Sequence, residues 1–173
     1  MKRLAVSVLV LALFVMAPMV VLAGYGSSGS NHVNAGFEKL KSLAGTWETK
    51  APDGTSSTVT YAVVSNGSVV METISHTAEA NMVTMYTLDG DRILMTHYCG
   101  IGNQPRMRAT VPSGEVNELK FKFVDGGNMK KNDMHMHALH MKFIDDSHLE
   151  ATWSLYDKGK LKDDHAFSLT KKS

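Results

Sequence analysis

A single cysteine, Cys99, stands in the 173 residues, so no disulfide forms within the chain and the fold must hold by burial. Proline is scarce, with four residues. No helical period is sustained beyond residue 43, which argues against a helical bundle. Charge of one sign is missing too: 18 basic residues face 17 acidic ones. That balance leaves no electrostatic footprint for nucleic acid, and no basic run suggests a membrane surface. Several catalytic signatures are also absent. There is no Gly-x-Ser-x-Gly elbow, no phosphate-binding glycine loop and no His-Glu-x-x-His helix.

The first 23 residues lack acids altogether. Lys2 and Arg3 precede an apolar stretch from Leu4 to Ala23, and Val21-Leu22-Ala23 ends it with small or aliphatic residues. These parts make residues 1–23 a secretory signal peptide, with cleavage expected after Ala23 and a periplasmic or secreted destination. The rival is an uncleaved anchor, since about 20 apolar residues can span a bilayer. Pro18 and the small-residue exit favour cleavage, which leaves no stable membrane insertion. No cysteine near the cleavage site points to a lipid anchor. Residues 24–34, rich in Gly, Ser and Asn, read as a flexible lead-in, and residues 35–173 as one domain.

Phe37, Leu40 and Leu43 have the spacing of a short helix. After it come short β-rich runs near 45–50, 56–64, 68–76, 81–88, 92–99, 106–111, 116–125, 134–144, 148–156 and 161–170. Turn chemistry separates them: Pro52-Asp53-Gly54, Ser65-Asn66-Gly67, Asp89-Gly90-Asp91, Pro112-Ser113-Gly114, Asp145-Asp146-Ser147 and Asp157-Lys158-Gly159. Asn66-Gly67 is the strongest hairpin signal. Leu119, Phe121 and Phe123 alternate with Lys120 and Lys122; Leu149, Ala151, Trp153 and Leu155 alternate with Glu150, Thr152 and Ser154. One dry and one wet face, on about ten sequential strands, predict an all-β, up-and-down antiparallel barrel. A flattened sandwich has the same pattern.

The run Phe37-x-x-Leu40-x-x-Leu43-Ala44-Gly45-Thr46-Trp47 resembles the opening of lipocalin-like (calycin) barrels, where a short helix leads into a Gly-x-Trp first strand. The segment from Thr96 to Arg106 is similar to that of exported bacterial proteins of this class, a likeness that supplies no function. The calycin resemblance implies an internal cavity for a small ligand and, in a nitrobindin-like branch, haem.

Strand parity then selects the groups expected to face the lumen: His97 and Cys99 on one strand, His135 and His137 on another. Residues two apart on a strand point the same way, about 6.5–7 Å apart. Imidazole and thiolate together suit zinc or copper, so the four form a candidate metal site, with haem ranking behind either metal. Two other arrangements fit the same pattern: a metal-free ligand or catalytic cluster, and a hydrogen-bonded polar core. Met129, Met134, Met136 and Met141 surround the histidines, as copper(I) ligands or simply as core filler. Asn103, Gln104 and Arg106 follow Cys99 as candidate ligand-binding residues, with Arg106 suited to an anion; they serve equally as an ordinary turn. Glu72 is a lumenal acid if Val70 and Ile74 face inward, and an outer residue if Val69 and Met71 do. The functions these residues suggest are an exported small-ligand- or metal-binding barrel, or an enzyme acting on a small molecule through a metal-, haem- or thiol-dependent cluster. A barrel whose polar core merely aids folding is the third possibility.

Overall fold

The computed structural model describes residues 34–50, 56–76, 81–111 and 113–173. The expected signal segment 1–23, the lead-in up to residue 33 and the Pro52-Asp53-Gly54 turn lie outside them.

One helix, α1 (Ala35–Ser42), precedes ten strands: β1 (Gly45–Lys50), β2 (Ser56–Val64), β3 (Val69–His76), β4 (Met82–Asp89), β5 (Arg92–Tyr98), β6 (Gln104–Thr110), β7 (Glu118–Gly127), β8 (His135–Phe143), β9 (His148–Asp157) and β10 (Lys160–Lys171). Every strand pairs antiparallel with its neighbours in sequence, and β1 also pairs with β10, closing an up-and-down barrel. Closure leaves no free sheet edge. The expected alternative of a flattened sandwich is thereby replaced by a barrel.

Local chemistry explains the element ends. The Asn34 side chain accepts the Phe37 N–H at 3.0 Å and caps α1. Ser65, Asn66 and Gly67 all have positive φ (51°, 53° and 83°) and form a tight turn between β2 and β3. Inward positions form one core that includes Trp47, Tyr86, Ile93, Met95, Met107, Phe121, Leu139, Met141, Leu149 and Trp153. Strand β6 begins at Gln104, earlier than the expected 106, so Pro105 lies within a strand. The register shifts beside it, between Arg106 and Met107, and such irregularities are where proline is tolerated in sheets.

Helix α1 packs against one end of the barrel. A Cβ on Gly36 would sit 2.7 Å from Val111 Cγ2 and 3.1 Å from Ile93 Cδ1, so only glycine permits this approach. Trp47, at the start of β1, donates its indole N–H to the Leu43 carbonyl at 2.8 Å, tying strand to helix. Antiparallel order then places the ends of β1, β3, β5, β7 and β9 together at the opposite end, away from α1.

Candidate functional site

The polar groups inside the barrel form a row rather than a ring. Tyr61 on β2 pairs with Glu72 on β3, Glu72 with Thr84 on β4, and Thr84 with His97 on β5. Directly paired residues in antiparallel strands point the same way, so this register aligns four inward side chains across four strands. All four are buried.

Hydrogen bonds run along the row. Tyr61 donates its hydroxyl to Glu72 Oε1 at 2.8 Å, and Tyr86, also inward on β4, donates to Oε2 at 2.9 Å. Thr84 Oγ1 also lies 2.9 Å from His97 Nδ1. Burial raises the Glu72 carboxyl above its ordinary value, although the tyrosine hydroxyls bonded to it pull it back down. Both tyrosines are pushed well above the usual phenol range, first by burial and then by the Glu72 charge. A carboxylate that collects two phenol hydroxyls accepts both of them.

His97 ends the row. It is 1 % exposed, and its ring lies against Trp153 with centroids 4.6 Å apart. Burial lowers its pKa from 6.5 to about 4, so the ring is neutral at pH 7. Its Nε2 has no hydrogen-bond partner among the described residues. Asn103, 5 % exposed at the mouth of the β5–β6 hairpin, shares this property. Its amide donates to the Met134 carbonyl at 2.8 Å, while its Oδ1 is buried and unpartnered. Buried polar atoms without partners are rare and call for an explanation.

The other expected site residues fall elsewhere. Cys99 is half-buried in the turn after β5, where its N–H donates to the Asn103 carbonyl at 3.1 Å. Gln104 donates its side-chain amide to the Gly102 carbonyl at 3.0 Å and is spent on the turn. Arg106 is exposed and forms a two-pronged ion pair with Asp125 on the outer wall. That removes it from the lumen, because the parity of β6 buries its neighbours Pro105 and Met107.

His135 and His137 were expected to share the lumenal row of Leu139. A register shift between Met136 and Ala138 leaves His137 as an unpaired extra residue. Beyond the shift His135 pairs with Tyr156, whereas Leu139 pairs with Trp153. Tyr156 and Trp153 are three apart on β9, so the pairing takes His135 out of the register of Leu139, and its buried ring packs on Phe123 at 4.5 Å. The two histidines bond to each other, Nε2 to Nδ1 at 2.9 Å, and His137 stacks on Tyr156 at 4.0 Å and on Phe123 at 5.1 Å. Burial, then the neighbouring His135, lowers the His137 pKa. Among the described residues no three His, Cys, Asp or Glu side chains are placed to share a metal ion. His97, Cys99, His135 and His137 therefore do not converge.

Tyr61, Thr84 and Tyr86 were missed as site residues. A signal was present: each sits at the inward parity of its strand, Tyr61 two residues from buried Val59, and Thr84 and Tyr86 two residues apart on β4.

No protein-family model matches the chain, and no curated protein matches it. Among solved structures it is similar to the crystal structure of Rv2717c from M. tuberculosis, with a TM-score of 0.54 and 16 % sequence identity. The match covers 79 % of this chain and 97 % of that one. At that identity the likeness establishes the fold alone.

Proposed function

We propose that this barrel binds a small molecule in its lumen, with His97 as the anchoring residue. The observation that carries this is the fully buried, unpartnered Nε2 of a histidine whose other nitrogen is already held by Thr84. A buried nitrogen left unbonded costs about 1–3 kcal/mol, and a ligand that fills it recovers this energy on binding. Trp153 beside it supplies an apolar wall, the usual complement to a few placed polar groups in a ligand site. A calycin-like cavity is the natural host for such a site. A hydrogen-bonding ligand fits this geometry better than zinc or copper, because one imidazole is not a metal coordination shell.

A fragment screen read by amide and imidazole NMR shifts tests the assignment. Hits are expected to perturb His97, Trp153 and Asn103, and His97→Phe is expected to abolish them. Hits confined to the outer wall would reject it. Export is part of the same proposal: sequencing the mature N-terminus is expected to find Gly24 first, and an intact Met1 would reject cleavage.

A further inference from the structure

We infer that the outer wall of the barrel carries a second binding site, a groove across β7, β8, β9 and β10 that takes a small organic anion by its charged end at Lys122. This site stands apart from the lumenal one and does not depend on it.

Register builds the groove. Lys122 pairs with Ala138, Ala138 with Ser154 and Ser154 with Asp164, so four side chains form one outward row across four strands. The next row, two residues along, runs from Lys120 through His140 to Thr152. Neighbouring strands lie about 4.7–4.9 Å apart, and the two rows about 6.5–7 Å. Ala138 is the smallest side chain in either row. The depression above it is a groove of about 320 Å³, lined by both rows.

The charges around it are unevenly satisfied. Lys120 donates to one oxygen of Glu118 at 2.6 Å, and His140 Nε2 lies 2.8 Å from the other, so Glu118 holds both at the rim. Ser154 donates its hydroxyl to Asp164 at 2.6 Å. Lys122 differs, since among the described residues no carboxylate lies within ion-pair reach of it. Its partner on the far side is a like charge: Arg108 on β6 pairs directly with Lys122, and Arg108 is itself committed to Asp89 at 2.8 Å. Like charges placed opposite one another on a sheet repel. An anion seated above Ala138 offsets that repulsion and gives the Lys122 ammonium a charge-assisted partner that the wall does not supply.

The ends of the row select the ligand. Lys122 is positive, and Asp164, three strands on, is negative. A molecule lying along the row places its anionic end at Lys122 and an uncharged or cationic end toward Asp164. Between them the Ala138 methyl and the lysine stems offer apolar surface to its body. A carboxylate or phosphomonoester with one negative end fits this wall, and a dianion charged at both ends does not.

Probes built on one benzene ring separate these demands: benzoate, para-aminomethylbenzoate, terephthalate and benzylamine. In amide NMR titrations para-aminomethylbenzoate is expected to bind most tightly, benzoate less tightly, and the dianion and the amine weakest, with shifts centred on Lys122, Ala138 and Thr152. Lys122→Gln is expected to weaken benzoate about tenfold, the loss typical of one charge-assisted hydrogen bond. Ala138→Leu fills the groove without changing its charge and is expected to abolish binding. Both positions face outward, and an unchanged melting temperature shows that each variant keeps its fold. Unchanged affinity in either variant, a preference for terephthalate or benzylamine, or no shift at these residues with any probe would overturn the inference. A dimer in sedimentation that Ala138→Leu dissociates would do so too, because the occupant would then be a second copy of the chain. Shifts at His97 report the lumen alone, so failure of one site is read separately from failure of the other.

Discussion

Acidification should unfold this protein partly through one residue, His97. Its pKa falls from 6.5 in the open chain to about 4 in the barrel because burial disfavours the charged ring. The native state therefore resists protonation while the unfolded state accepts it. The stability linked to His97 is fully present above pH 6.5 and is lost as pH falls toward 4. At 1.36 kcal/mol per pH unit, a drop from 6.5 to about 4 is worth about 3 kcal/mol. Other carboxylates titrate near the lower end, so the measurement must be a difference. His97→Gln occupies the site without titrating. Urea unfolding of both proteins from pH 8 to pH 4 should show their stability gap change by about 3 kcal/mol against wild type, which moves the gap between midpoints by roughly 1–3 M urea. A gap that stays constant across this range would refute the claim that His97 is buried and neutral.

Two further outcomes follow from the same packing. Gly36→Ala places a methyl 2.7 Å from Val111 and forces helix α1 off the barrel end; calorimetry should record a loss of about 1–3 kcal/mol, and an unchanged melting temperature would mean that α1 does not seat there. Glu72→Gln removes the opposite linkage: because burial raises the Glu72 value above 4.5, wild type should lose stability relative to the variant as pH climbs through that raised value. The same urea series detects this, and a gap independent of pH would show that Glu72 is not desolvated.

The barrel was legible in the chain because its signals are local. Alternation such as Leu119-Lys120-Phe121-Lys122 depends only on the pleat, and Asn66-Gly67 announces a hairpin by backbone conformation alone. The start of β6 was not legible, since Pro105 normally argues against a strand and is accommodated here by an irregularity between β6 and β7. The extra residue at His137 was hidden for a related reason. A bulge is a property of two strands, and nothing within Met136-His137-Ala138 announces it.

That one residue decides what the polar site is. Parity without the bulge gathers His135 and His137 with His97 and suggests a metal centre; parity with it separates them and leaves His97 against Thr84 and Trp153. The row from Tyr61 to His97 was hard to see in the chain because its members come from four different strands and meet only through register. Glu72 shows the difficulty most clearly. Val70 and Ile74 on one side of β3, and Val69 and Met71 on the other, fit either orientation, so hydrophobicity does not choose between them. What chooses is polar satisfaction. A carboxylate turned inward here meets Tyr61 and Tyr86, which have no other partner for their hydroxyls among the described residues, whereas a Glu72 turned outward would strand both inside the core. Two stranded hydroxyls would cost about 1–3 kcal/mol each. Inward polar residues on neighbouring strands, considered as a set that must satisfy one another, therefore carry information about a barrel's interior that no single strand holds.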